Sequence, residues 1–279
     1  MAEIEKVSGV AAADIQAISG VAGTSVEKVS GVELVTFTPQ TYNFDSTDSS
    51  WAIPGGTNHM DITVIGGGGS GSQRTNISPA GFGGGGAGVA QATENTGGRI
   101  AVSSLNVNTL NITIGAGGTS ANTGGTAGAA SVAAGGITTI QANGGAQKDG
   151  GNTYHNAGVS AGGTASGGNT NTSGGTGGDA KEYPSTGTNG GSGACGGGAA
   201  GGSYTNGGNG GSGNISGAGG NGGAGYNWPN STIVAGNDGG AYGGGGGGGG
   251  HGHGGVGAKG NGGNGRVIIN TRSASNGNT

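Results

Sequence analysis

The sequence predicts a mainly β protein combined with a bundle of polyglycine II helices, a glycine-rich sandwich, preceded by a short repeat of helical turns. Three observations carry this. Glycine supplies 80 of 279 residues, much of it in triplet-spaced tracts. Short segments of alternating apolar and polar residues lie on both sides of those tracts. An 11-residue motif occurs three times at the start of the chain.

The tracts between Gly187 and Gly265 are the centre of the argument, with eight consecutive glycines at Gly243 to Gly250. Glycine loses the most freedom on folding, so such a composition ordinarily means disorder. A left-handed helix of three residues per turn offers an ordered alternative, because it makes no internal hydrogen bonds and points every N–H and C=O outward. In Gly207-Gly208-Asn209-Gly210-Gly211-Ser212-Gly213 and Gly219-Gly220-Asn221-Gly222-Gly223-Ala224-Gly225, the non-glycine residues share one edge of such a helix. The other two edges are bare backbone, free to pack against neighbours through hydrogen bonds and Cα–H···O contacts. Collagen needs a strict glycine period and abundant proline, and only 5 prolines occur here. At about 3.1 Å per residue the eight-glycine run spans about 25 Å.

Residues 1–34 hold the repeat: Ile4–Val10, Ile15–Val21 and Val26–Val32. Paired aliphatics three apart read as one face of a helical turn, ended by a glycine at C′. Asp14 reads as an N-cap, and Thr24 with Glu27 as a capping box. Three turns this short make a marginal stack, so the favoured expectation is a segment that docks on a partner, with a small helical cap packed on its own protein as the alternative. Its apolar positions are Ile4, Val7, Val10, Ile15, Ile18, Val21, Val26, Val29 and Val32.

From Glu33 the composition turns to strand formers. Strands are expected at Val35–Thr38, Thr41–Phe44, Asp61–Ile65, Gly88–Ala92, Arg99–Val102, Leu110–Ile114, Ile137–Ala142 and Arg266–Asn270, with a turn at Pro54-Gly55-Gly56. Strands at both ends of a glycine-rich insert predict that the last one returns to the first sheet and closes the domain. The organisation expected is thus an attachment segment over 1–34, a glycine-rich domain over 35–272 and a tail over 273–279.

Between 147 and 235 the tracts are interrupted by side chains of the types that binding loops use. Tyr154 and His155, Lys181 and Tyr183, Tyr204, and Tyr226 and Trp228 are the candidate binding residues. The tracts themselves offer a partner only backbone, so any specificity has to lie in these interruptions.

Net charge is −4, which gives no basic footprint for nucleic acid. The single cysteine, Cys195, allows no intrachain disulfide and reads as a small buried side chain. No apolar run is long enough to span a bilayer, and the first residues lack the pattern of a signal peptide, so release by lysis is expected. Gly66–Gly71 formally fits G-x-G-x-x-G, but Gln73–Pro79 makes a poor helix, and a dinucleotide site needs one. His251 and His253 could ligate metal, yet residues two apart do not share a face on a three-per-turn helix; an exposed polar loop tip is the better reading. No paired carboxylates or triad spacing appear, so no enzyme, cofactor or metal is expected.

Ser50–Gly56, Ile62–Gly69, Gly85–Val89, Ile112–Gly118 and Gly262–Ile269 together resemble the glycine-rich domain of tailed-phage tail fibres. The pattern is also similar to the distal adhesins of T-even-type long tail fibres, with the 11-residue repeat as a departure from them. The resemblance implies packed polyglycine II helices whose loops touch a host receptor, an outer-membrane protein or glycan, in a non-enzymatic virion protein attached to other tail or fibre proteins. The competing readings are a purely structural virion decoration, a self-assembling glycine-rich fibre, and an ice-binding protein. The last would need a regular row of Thr or Ala, whereas the third positions here are mixed.

Overall fold

The computed structural model describes residues 37–72, 81–93, 98–105, 107–121, 124–125, 127–148, 159–181, 186–222, 232–252 and 255–272, together with six two-residue strands before residue 37. The protein is mainly β. Strands β1 (Gln40–Phe44), β2 (Asp48–Ala52), β3 (His59–Ile65), β4 (Val89–Ala92), β5 (Ile100–Ala101), β6 (Thr109–Thr113), β7 (Ser131–Ala134), β8 (Ile140–Ala142), β9 (Ala165–Ser166), β10 (Thr170–Thr172) and β11 (Arg266–Arg272) form two antiparallel sheets. One sheet has the order β10-β4-β3-β11-β1, with β5 also paired to β3; the other is β9-β8-β7-β6-β2. The C-terminal strand does return. β11 lies between β3 and β1, running from Arg266↔Ile65 to Arg272↔His59 on one side. On the other it runs from Val267↔Phe44 to Thr271↔Gln40.

Period-2 patterning decides which side chains face inward. Along β11, Val267, Ile269 and Thr271 are buried while the alternate residues are half-exposed. Val267 and Ile269 meet Met60, Ile62 and Val64 of β3, Leu110 and Ile112 of β6, and Ile140 of β8 in one core between the sheets. Each such side chain contributes about 1.5–3 kcal/mol on burial. Trp51 closes the edge where β1 passes to β2, with Tyr42 and Phe44 edge-on at 5.1 and 5.6 Å. Edge-to-face pairs of this kind add about 0.5–1.5 kcal/mol beyond area burial.

The glycine tracts continue the strands without an intervening turn. β3 passes into 66–72, 81–88 into β4, β8 into 143–148, β10 into 173–181, and 257–265 into β11. Their hydrogen bonds have a three-residue period. The N–H groups of Gly66, Gly69 and Ser72 donate to the carbonyls of Gly88, Gly85 and Phe82, while those of Gly68 and Gly71 donate to Gly263 and Gly260, and that of Gly67 to Ala129. One tract therefore bonds to neighbours on three sides.

The run 243–250 lies innermost. It donates to tracts 194–202, 66–72 and 234–240, and accepts from tracts 81–87, 257–263 and 217–222. A Cβ at Gly244, Gly245, Gly246, Gly247, Gly248 or Gly249 would stand 2.0–2.2 Å from a carbonyl oxygen of a neighbour. Eight glycines in a row are explained by this position, which leaves no edge facing solvent. Outer tracts instead expose every third residue, as at Thr186, Asn189 and Ser192, or Asn206, Asn209 and Ser212. Many of these side chains link adjacent tracts. Oδ1 of Asn189, Asn221, Asp238 and Asn264 accepts the backbone N–H of Asn209, Gly210, Asn261 and Gly117 at 2.9, 2.8, 2.6 and 2.8 Å.

Several expectations need correction. Where the N-terminal repeat is described it is extended rather than helical: each copy holds a pair of two-residue antiparallel strands, with Val7↔Val10, Ile18↔Val21 and Val29↔Val32 as the inner pairs. β-Branched residues on both sides of a Ser-Gly pair favour extended chain and a two-residue connection, and a single helical turn is too short to nucleate. Ile4, Asp14, Ile15, Thr24, Val26 and Glu27 lie outside the described residues. The strand expected over Arg99–Val102 shortens to β5, with Val102–Ser104 turning as a 3-10 helix. Of the strand expected at Val35–Thr38, Phe37 and Thr38 are unpaired chain, and the rest lies outside the described residues. β2, β7, β9 and β10 were not expected, because each is short and carries at most two strand formers among Ser, Ala, Asp and Asn.

Candidate functional site

The tracts end together, at the side of the bundle away from the sheets. Lateral bonds tie their last described residues into one level: Gly249 to Ser72, Gly81 to Gly249, Gly201 to Gly81, Gly208 to Ala200, Ala200 to Thr188 and Gly83 to Gly178. The described residues on either side of 73–80, 149–158, 182–185, 223–231 and 253–254 lie at or near this level, as do residues 203–206. Tyr154, His155, Tyr183, Tyr226 and Trp228 lie outside the described residues, but the residues flanking every one of them are at this end. Phe82, Ala180 and Ala200 form a small apolar cluster beneath it.

Lys181 and Tyr204, the two described candidates, are both here. Lys181 is exposed, one residue beyond buried Ala180. Asp179 is fixed two residues earlier, its N–H donating to Thr188 Oγ1 at 2.5 Å while that hydroxyl donates to the Asp179 carbonyl at 2.8 Å. Tyr204 is half-buried rather than at a loop tip, with φ +60°, a conformation that costs a side chain about 1–2 kcal/mol. Its N–H donates to the His251 carbonyl at 2.9 Å, and its ring meets the His251 imidazole edge-on at 5.5 Å.

His251 is thus 7% exposed, not a solvent-exposed tip, because it pairs with Val256 and donates its N–H to Gly202. His253 lies outside the described residues. Val159 and Val234, 47% and 42% exposed, border two of the interruptions at the same end. Val159 and Val234 carry no sequence signal of their own, because an isolated aliphatic between a glycine and a serine, or within Ile233–Ala235, reads as chain filler.

The opposite end of the sandwich holds a cleft of about 580 Å3, walled by Ile100, Leu105, Ile137 and Ile140, with Arg99 and Asn169 among its polar residues. Arg99 is held by buried Asp61 at 3.3 Å, and the same carboxylate holds Arg272 at 3.1 Å. The chain enters the sandwich at this end, where Gln40 pairs with Thr271.

Where the sheets meet the bundle, Arg266 is bidentate to Asp45 at 2.7 and 2.8 Å and stacks over Tyr242 at 3.7 Å. The guanidinium lowers the Asp45 carboxyl below its ordinary range. Nearby, Cys195 is fully buried, and burial pushes its thiol up to about 12. The formal G-x-G-x-x-G at Gly66–Gly71 opens no helix over 66–72. Among the described residues there is no group of three His, Cys, Asp or Glu side chains placed to hold a metal ion. No helix among them is long and apolar enough to cross a membrane.

A family model described as a glycine-rich domain matches residues 44–272. No curated protein matches the chain.

Proposed function

The chain belongs to the glycine-rich domain family, and we propose that it is a virion adhesin of a tailed phage, a tail-fibre or tail-tip protein that presents loops on an inert backbone scaffold to a host-surface receptor. The observation that carries this reading is polarity. Lys181, Tyr204 and the described residues that flank Tyr154, His155, Tyr183, Tyr226 and Trp228 lie at one end of the bundle, and the chain enters the sandwich at the other, where Gln40 pairs with Thr271. A particle-bound protein that reaches toward a cell needs this arrangement. Exposed Val159 and Val234 add apolar surface at the presenting end, where a glycan or outer-membrane protein would be met. The protein would act without catalysis, cofactor or metal, on the virion and outside the cell after lysis.

We read the tracts as polyglycine II helices, supported by the three-residue period of the donors and by the six neighbours of 243–250. Crystallographic backbone dihedrals near about φ −75°, ψ +145° along 243–250 would bear this out, and strand dihedrals would refute it. A laterally growing fibre is the weaker reading, because Asn and Asp side chains already occupy N–H groups between outer tracts.

The deciding experiment replaces Tyr154, Tyr183, Tyr226 and Trp228 by alanine and measures adsorption to host cells. A buried aromatic anchor is worth about 2 kcal/mol, some thirtyfold in affinity. The expected outcome is weakened adsorption with an unchanged melting temperature, and a changed host range when 179–185 and 226–233 are exchanged for those of another phage. Normal adsorption by all four variants, or loss only in proportion to stability, would move the weight to a structural virion decoration.

A further inference from the structure

We propose that the three N-terminal hairpins are equivalent anchors that fill equivalent grooves on a homo-oligomeric virion protein, one hairpin per subunit. The inference rests on the virion placement above and identifies the partner.

Each hairpin has the same register: Lys6↔Ala11 with Val7↔Val10, Ala17↔Ala22 with Ile18↔Val21, and Lys28↔Glu33 with Val29↔Val32. A Ser-Gly pair separates the two strands every time. The backbone thus places an aliphatic pair at the same position of each hairpin. Strands of two residues form no core of their own, and an isolated two-stranded hairpin is marginal in water. These units therefore need a surface to lie on.

Three hairpins of equal register call for three equal surfaces. Among the described residues, the aliphatic-walled cleft at the attachment end is a single site against three hairpins. A second copy of this chain has the same mismatch, since it brings three hairpins for each cleft. Three identical units in one chain match a partner that repeats one groove, as a homo-oligomer does about its axis.

The spacing bounds that partner. Ala11 to Ala17 and Ala22 to Lys28 are equal steps along the sequence. Six steps of at most about 3.5 Å limit neighbouring grooves to roughly 20 Å apart. Linked contacts of this kind raise affinity by about 10²–10⁴ without any one of them being strong.

The test uses the full chain and purified phage particles produced without it, with dissociation of rebound protein as the readout. Three variants each disable one hairpin: Val7→Asp with Val10→Asp, Ile18→Asp with Val21→Asp, and Val29→Asp with Val32→Asp. A fourth carries all six substitutions. A melting temperature equal to wild type shows that the sandwich is intact in each. Equal anchors predict that each pair speeds dissociation by at least about tenfold and to a similar extent, and that the sixfold variant does not bind. Loss caused by one pair alone, with the other two silent, overturns the proposal. Full retention of the sixfold variant overturns it too, while leaving the adhesin reading standing. Failure of the wild-type chain to bind particles would instead refute the virion placement, and this inference with it.

Discussion

Gly247 lies midway along the innermost tract, and a Cβ built there would stand 2.0 Å from the Asn221 carbonyl oxygen, 2.7 Å from its carbon and 3.0 Å from the Gly220 oxygen. These are backbone atoms, so no side chain can swing aside. Gly247→Ala must push two tracts apart. Overpacking of this kind costs about 1–3 kcal/mol. The displacement also stretches the bonds from Gly247 N–H to Asn237 and from Gly260 N–H to Gly247, both 2.8 Å, each worth about 1 kcal/mol net. The sum is about 3–5 kcal/mol, a large part of the roughly 5–15 kcal/mol that holds a typical domain folded. For a domain of this size the melting temperature should fall by about 6–20 °C, followed by circular dichroism or calorimetry. The control is Asn209→Ser, at an exposed third position, which should stay within about ±0.5 kcal/mol. Equal melting temperatures for Gly247→Ala, Asn209→Ser and the wild type would refute backbone-to-backbone packing as the source of stability.

Three further outcomes follow from the same geometry. Asn221→Ala removes the acceptor of the Gly210 N–H and should cost about 1 kcal/mol in denaturant melts, against almost nothing for Ala218→Ser on the same tract. The Asp45 carboxyl is lowered chiefly by its hydrogen bonds to Arg266, so its contribution is present above the ordinary value of 3.8 and is lost as pH falls through the folded value. A difference in melting temperature between wild type and Asp45→Asn should therefore appear at neutral pH and vanish in strong acid, and a difference that persists there would exclude the ion pair as its cause. Cys195, buried with its thiol pushed up to about 12, should resist a thiol reagent at pH 8 in the native protein and react fully in denaturant; rapid native labelling would place it at the surface.

The aliphatic strand formers of Asp61–Ile65 and Arg266–Asn270 were enough to locate β3 and β11, because β-branched side chains fit an extended, buried chain. The position of these strands at both ends of the glycine-rich region also implied closure of the sheet. Triplet spacing identified third positions as outward, and the structure exposes Asn189, Asn206 and Asn209 there. The repeat at 1–34 was legible as a repeat but not in conformation, since aliphatics around Ser-Gly fit either a helical turn or a hairpin until pairing is known. His251 read as an exposed tip because nothing local announces the Gly202, Tyr204 and Val256 contacts that bury it.

What the sequence determined by itself is local: which segments extend, which residues of each tract can carry a side chain, and which interruptions hold aromatic groups. Only the tertiary structure decided that 243–250 is the tract with six neighbours, and that the residues flanking the interruptions lie at the end away from the chain's entry. The physical reason is that a glycine tract has no side chain to encode its neighbours. Its partners are chosen by backbone N–H and C=O groups that are chemically the same in every tract, so their pairing emerges only when the sandwich strands have set the level and direction of each one.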